Sequence, residues 1–246
     1  MKIYTEELTY TNGNPRFHLT FYRPGLIDRD FDKDDFAFGP LARIDHAHIR
    51  QEVLVPMHEH INDEIFSYIH KGKMLHEDSV GNVEVVTPEH RMLMGAGKSF
   101  FHQESTPEGQ VEMLQVFIRP EEADLEPLVQ FSSDEKVELE EWNHLVGPNG
   151  SGAPLVLRQD VQILDKHLTE NQDFNLPSLE GYTPWLYVME GSIAINGKEI
   201  SKGQAVTLEE GDEFVGKSLE KTTLVLFLVN LGAPMTYAGN FSGQKR

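Results

Sequence analysis

Cysteine is absent from the 246-residue chain. That excludes a disulfide framework and any thiolate metal ligand, so an ion in this protein would have to be held by His, Asp or Glu. Basic residues are scarce. Lys and Arg number 21 against 40 Asp and Glu, a formal charge of −19. Such a field repels phosphate backbones, and no nucleic-acid partner is expected. Long apolar runs are missing too. No stretch approaches the ~18–20 residues of a membrane-spanning helix, so no membrane association is expected. The N-terminal stretch Met1-Lys2-Ile3-Tyr4-Thr5-Glu6-Glu7 is acidic where an export signal is apolar, and basic import clusters are lacking. These absences point to a cytoplasmic protein.

What is present is a repetition of short apolar runs. Phe17 to Tyr22 reads as a strand, and Leu41 to Ile44 as a strand start, with turn chemistry at Tyr10 to Pro15 and a charged loop from Asp28 to Asp35. Between residues 53 and 120 follow Val53–Val55, Ile65–Ile69, Val83–Val86, Met92–Met94 and Met113–Ile118. They are separated by Gly-, Pro- and Asn-containing turns. Strands at this spacing predict an antiparallel sandwich or barrel. A junction is expected between about 121 and 135, giving units of 1–130 and 131–246, with a mobile loop near 147–154. The acidic runs at 121–126 and 134–141 read as solvated faces. The second half repeats the first. Trp185–Ile193 parallels Ile65–Lys73, Asn196-Gly197 signals a hairpin, and Leu224–Val229 parallels the strand near 113–118.

The chemistry concentrates in His58-Glu59-His60-Ile61-Asn62-Asp63-Glu64 and, 42 residues after His60, in His102-Gln103-Glu104. Residues i and i+2 of a strand share a face. If both segments are strands of one closed sheet, His58, His60, His102 and Glu104 converge. Imidazoles plus a carboxylate suit a divalent transition metal with open positions, be it Fe, Mn, Ni, Cu, Co or Zn. Glu64 is a further candidate, either as a ligand or as an acceptor for the N–H of a ligand imidazole. His46-Ala47-His48-Ile49-Arg50-Gln51-Glu52 repeats the His-x-His-x3-Glu spacing but lacks the aromatic strand and glycine that follow Glu64, and reads as a decoy. His76 reads as a strand-end histidine tied to the turn through Asp78 and Ser79. A place near the pocket is open for His18. Phe36, Phe38, Phe100, Phe101, Met92 and Met94 are candidates for an apolar lining, or simply core. Counted back from Gly191, the offsets of His58, His60 and Glu64 from Gly72 give Pro177, Leu179 and Thr183, so the second copy cannot rebuild the site.

These residues resemble a known family. His58-x-His60-x3-Glu64-x3-Tyr68-x3-Gly72-x3-His76-Glu77-Asp78-Ser79-x-Gly81-Asn82, followed by Met94-Gly95-Ala96-Gly97-x4-His102-Gln103-Glu104-x2-Pro107, resembles the pirin signature. His18-Leu19-Thr20-Phe21 is similar to a segment near pirin N-termini. Asp160, Tyr187-Val188, Gly191, Asn196-Gly197 and Gly203-Gln204-Ala205 are similar to the C-terminal part. Ser99, Phe100 and Phe101 depart from the usual smaller residues before the second cluster.

The resemblance implies an all-β bicupin, two tandem double-stranded β-helix (jelly-roll) barrels with metal in the first only. It implies a mononuclear centre, usually Fe(II), held by His58, His60, His102 and Glu104. It also implies a dioxygenase that cleaves flavonols such as quercetin with O2, with Glu104 available as a base. The alternatives are a metal-stabilised regulatory module that binds a protein, as in eukaryotic pirins, and another cupin reaction with the metal as Lewis acid alone.

Overall fold

The computed structural model describes residues 1–133, 139–209, 212 and 214–246. It is built almost wholly of strands, with two short 3-10 turns at Glu6–Leu8 and Pro24–Asp28. Each half pairs a seven-stranded with a four-stranded sheet. This is the all-β, two-barrel architecture that the strand spacing and the family resemblance imply.

In the first half the large sheet runs Leu128–Ser133, His90–Gly95, Glu64–Lys71, Val111–Ile118, Leu41–Ile49, Phe17–Tyr22 and Tyr10–Asn14. The small sheet runs Leu54–His60, Phe100–Ser105, Met74–Asp78 and Val83–Val86. The second half repeats this, with the first strand of the chain, Lys2–Tyr4, joining its large sheet against Ala205–Thr207.

The apolar runs are continuous because the large sheets are buried on both faces. Along Thr222–Val229, Val225, Phe227 and Val229 enter a core shared by the two halves, while Leu224, Leu226 and Leu228 fill the second barrel. Along Val111–Ile118, Leu114, Val116 and Ile118 face the shared core, while Met113 and Phe117 face into the first barrel. The hairpin at Asn196-Gly197 is confirmed. Both residues have positive φ, 51° and 75°, as a two-residue type I′ turn requires.

Three readings need correction. Tyr10–Asn14 is not a turn but a strand paired with Phe17–Tyr22. Gly13 makes this possible, because its φ of 121° lets the edge strand approach Phe17 where no side chain could fit. Ser132 and Ser133 end a strand hydrogen-bonded to His90–Gly95 instead of marking a break. Gly147 and Pro148 close a strand, and the chain turns only after them, with Ser151 N donating to Pro148 O. Residues 134–138 of the second acidic run, and with them part of the expected junction, lie outside the described residues. The first run is mostly exposed.

A charged rim joins the halves. Lys71 of the first reaches Glu190 of the second at 2.6 Å. Lys202 of the second reaches Glu112 of the first at 2.7 Å and Glu190 at 2.9 Å. Hydrogen bonds from Lys71 and Lys202 hold the Glu190 carboxyl down to about 2. Burial pushes Glu112 up, but hydrogen bonds from His46 and Lys202 overcome this and hold it well below the usual range. A depressed folded-state pKa contributes stability above the unfolded value of about 4.3, and that stability is lost as pH falls through the folded value. Thermal stability should therefore fall between about pH 4.5 and 2. Glu190→Gln should be less stable than the parent at pH 7 and show a flatter acid limb in a melting-temperature series.

Candidate metal centre

The small sheet of the first half sets the geometry. Its Leu54–His60 strand is an edge, paired with Phe100–Ser105, which in turn pairs with Met74–Asp78. Cross-strand partners are His58 with His102, and His102 with Asp78. One row away, Phe100 faces His60, and Glu104 faces His76. The two-residue spacings of His58 and His60, of His102 and Glu104, and of His76 and Asp78 put all six side chains on the inner face. The register slips by one residue between His102 and Glu104, so Val55, not Pro56, faces Glu104. Such a bulge re-aims neighbouring side chains.

The structure brings His58, His60 and His102 together, with ligand nitrogens within 4.8 Å of one another. His60 and His102 are buried, and His58 is half-buried at the sheet edge. Glu104 does not join these three. It groups with His102 and His76. Its carboxylate is buried, borders a void without room for one water molecule, and has Gln115 Nε2 as a distant donor at 3.5 Å. Desolvation alone pushes its carboxyl up to about 7.

Hydrogen bonds around the histidines fix which nitrogen is free. His58 Nδ1–H donates to Pro56 O at 2.9 Å. His60 Nδ1–H donates to Asp63 Oδ2 at 3.2 Å. His76 Nε2–H donates to Asp78 Oδ2 at 3.1 Å, a carboxylate also held by Asn82 Nδ2 and the backbone N–H groups of Val80 and Asn82. His76 Nδ1 is then an acceptor, and His102 Nδ1 lies 3.4 Å from it as the donor. Each of the three site imidazoles is left with a bare Nε2 lone pair.

His58 Nε2 and His102 Nε2 face each other at 3.1 Å, and the buried His60 Nε2 has no hydrogen-bond partner among the described residues. Lone pairs so placed repel one another unless a cation lies among them. Burial, followed by the mutual repulsion of His60, His58 and His76, lowers the His102 pKa to about 2, and burial lowers that of His58. Both imidazoles are therefore neutral at pH 7 and ready to ligate. These residues fit a divalent transition ion. His76→Asn breaks the Asp78–His76–His102 chain, and cobalt titration should show affinity reduced by about 10–100-fold, the usual effect of losing a partner behind a ligand.

Glu64 is engaged by the second half through one of its carboxylate oxygens. Its Oε1 accepts from Arg158 Nε at 2.8 Å and from the second Arg158 amine at 2.6 Å, an ion pair between the halves. Asp63, its neighbour, fixes the imidazole instead. No sequence signal separated the two.

The decoy histidines do meet an acid, but it is Glu112 and not Glu52. Glu52 sits exposed at a turn with φ of 61°. His46 is already bonded by Tyr187 and Glu112, and Lys202 neutralises Glu112. His18 lies on a groove with His48, Arg50 and Glu112, away from the three histidines. Of the proposed apolar lining, Phe100 and Met94 pack beside the centre with Phe117 and Phe241. Phe101 faces outward, 41% exposed, and Phe36 and Phe38 belong to the shared core.

Comparison with known proteins is consistent along the chain. Residues 22–118 match the Pirin family model, and residues 144–229 match the quercetinase C-terminal cupin domain. A quercetin 2,3-dioxygenase of Escherichia coli O157:H7 is 26% identical over 184 residues, covering 73% of this chain and 79% of the relative. A putative quercetin 2,3-dioxygenase of Zymomonas mobilis is 26% identical over 217 residues, covering 86% and 88%. The crystal structure of the bacterial pirin YhhW from Escherichia coli, in complex with nickel(II), superposes with a TM-score of 0.78 at 19% identity, over 92% of this chain and 97% of that one.

Proposed function

Because this chain belongs to the pirin family, its pirin and quercetinase-type cupin domains together spanning both barrels, we propose that it is a metal-dependent dioxygenase that opens flavonols such as quercetin. The observation that carries this reading is the convergence of three bare Nε2 lone pairs beside a desolvated carboxyl. His58, His60 and His102 would hold the ion, with the carboxylate of Glu104 beside His102. Fe(II) is our first choice of ion, with another ion of the first transition row as the alternative; the bacterial pirin YhhW structure holds nickel(II). Such an ion supplies Lewis-acid stabilisation of an oxyanion and one-electron chemistry with dioxygen.

The chain's own residues do the rest. Of the three imidazoles only His58 is part-exposed, while His60 and His102 are buried. Phe100, Phe117 and Phe241 keep the neighbourhood dry. Glu104, whose carboxyl is pushed up by burial, would take the proton of the flavonol 3-hydroxyl. Overall, one flavonol and one O2 give an ester-linked acid and carbon monoxide. Both atoms of O2 stay in the acid, and the carbon lost is the one that bore the hydroxyl.

The test is anaerobic reconstitution with Fe(II), Mn(II), Ni(II), Co(II) or Cu(II), followed by quercetin and oxygen. Bleaching with matching oxygen uptake is expected with at least one ion. Bleaching without oxygen uptake, or no turnover with any ion, would overturn the reading.

A further inference from the structure

After its last strand, Thr222–Val229, the chain leaves the second barrel and returns across the first. Thr236 N donates to Pro120 O, and the Arg119 guanidinium stacks 4.5 Å over Tyr237 while its Nε donates to Ser242 O at 2.8 Å. The segment then binds the residues on either side of His60. Asn240 Oδ1 accepts from Ile61 N at 3.0 Å, Asn240 N donates to Ile61 O, and Asn240 Nδ2 donates to Glu59 O at 3.0 Å. The Phe241 ring lies 4.8 Å from the His60 ring and stacks on Phe117.

The closest engagement is with Asp63, which is fully buried. Ser242 N and Oγ donate to Asp63 Oδ1 at 2.8 and 2.7 Å, and Phe241 N reaches both carboxylate oxygens at 3.3 Å. The other oxygen, Oδ2, accepts from His60 Nδ1. Gly239 permits this docking, because a Cβ there would overlap Ser242 Oγ and Asp63 Oδ1.

A buried carboxylate needs its full set of donors, and here most of them come from a segment some 180 positions away. The orphaned His60 Nε2 lies on the far side of the same ring.

We propose that the 236–246 segment is a strap belonging to the metal centre. Ser242 and Phe241 hold Asp63, Asp63 holds His60, and metal affinity is coupled to docking of the strap. Asp63, Gly239 and Ser242 are positioning residues that touch neither ion nor substrate. The inference rests on the metal-centre reading. Coupling is reciprocal, so the ion should also tighten the strap.

The test uses the full chain and its Ser242→Ala, Gly239→Ala and Asp63→Asn variants. Co(II) affinity, the cobalt visible spectrum and the metal-free melting temperature are measured together. Cobalt affinity should fall about 10-fold in Ser242→Ala and towards 100-fold in Asp63→Asn. The spectra should shift, and the loss should exceed any change in metal-free stability. In the parent, cobalt should slow proteolysis within 236–246.

Lower melting temperatures with unchanged affinity and spectrum would overturn the strap. Cobalt binding by the parent with equal binding by all three variants would overturn the strap alone. No cobalt binding by the parent would overturn the centre and the strap with it. Should Asp63→Asn fail to fold, Ser242→Ala, which removes one hydroxyl, decides the matter.

Discussion

His102→Ala should abolish stoichiometric metal binding. His102 sits between the other ligands and the Asp78–His76 chain, with Nε2 facing His58 and Nδ1 facing His76. Removing it leaves two imidazoles, both on the edge strand Leu54–His60. The affinity loss should exceed the ~100-fold ceiling seen when only an outer partner is lost. The same variant gives a stability readout. An ion at about 100 times its Kd stabilises the folded state by about 2.7 kcal/mol. For a chain of this size that is a melting-temperature rise of about 5–10 °C. The parent should show the rise on adding metal, and His102→Ala should not. His48→Ala, in the second histidine cluster, should keep it. A rise that survives in His102→Ala and vanishes in His48→Ala would move the centre to the wrong histidines.

Glu104→Gln should separate holding the ion from using it. The three Nε2 atoms gather without Glu104, whose carboxylate groups instead with His76 and His102. Gln keeps the shape and removes the basic oxygen. Metal content should stay near that of the parent, while kcat falls by about 10²–10⁴-fold, the usual contribution of a positioned general base. KM should change little. Loss of the ion together with activity would make Glu104 foremost a ligand. Unchanged turnover would remove the base role.

The sequence made the repeat, the buried strands and the histidine pairs legible for one reason. Each depends on local periodicity, and local periodicity survives in a single chain. Phe66, Tyr68, Val225 and Phe227 lie in continuous apolar runs because both sheet faces are covered. His58 and His60 share a face because strands alternate. What stayed hidden depends on partners far away in the chain. Glu64 matched the pirin pattern, yet Arg158, 94 positions on, holds its Oε1. Asp63 carried no pattern at all, and its role appears only when Ser242 folds back onto it. His76 was read correctly as tied to Asp78, but its second nitrogen faces His102 only through the register of two paired strands. Tyr10–Asn14 held turn residues, and its strand character comes from the neighbour it pairs with.

The central claim is that one cation is held among His58, His60 and His102. A diffraction experiment on metal-loaded crystals, collected at the absorption edge of the added ion, tests it most directly. The account expects one strong anomalous peak per chain, about 2.0–2.1 Å from the Nε2 atoms of these three residues. A peak among His46, His48 and Glu112 with none among the three, or no ordered peak in metal-saturated crystals, would contradict it.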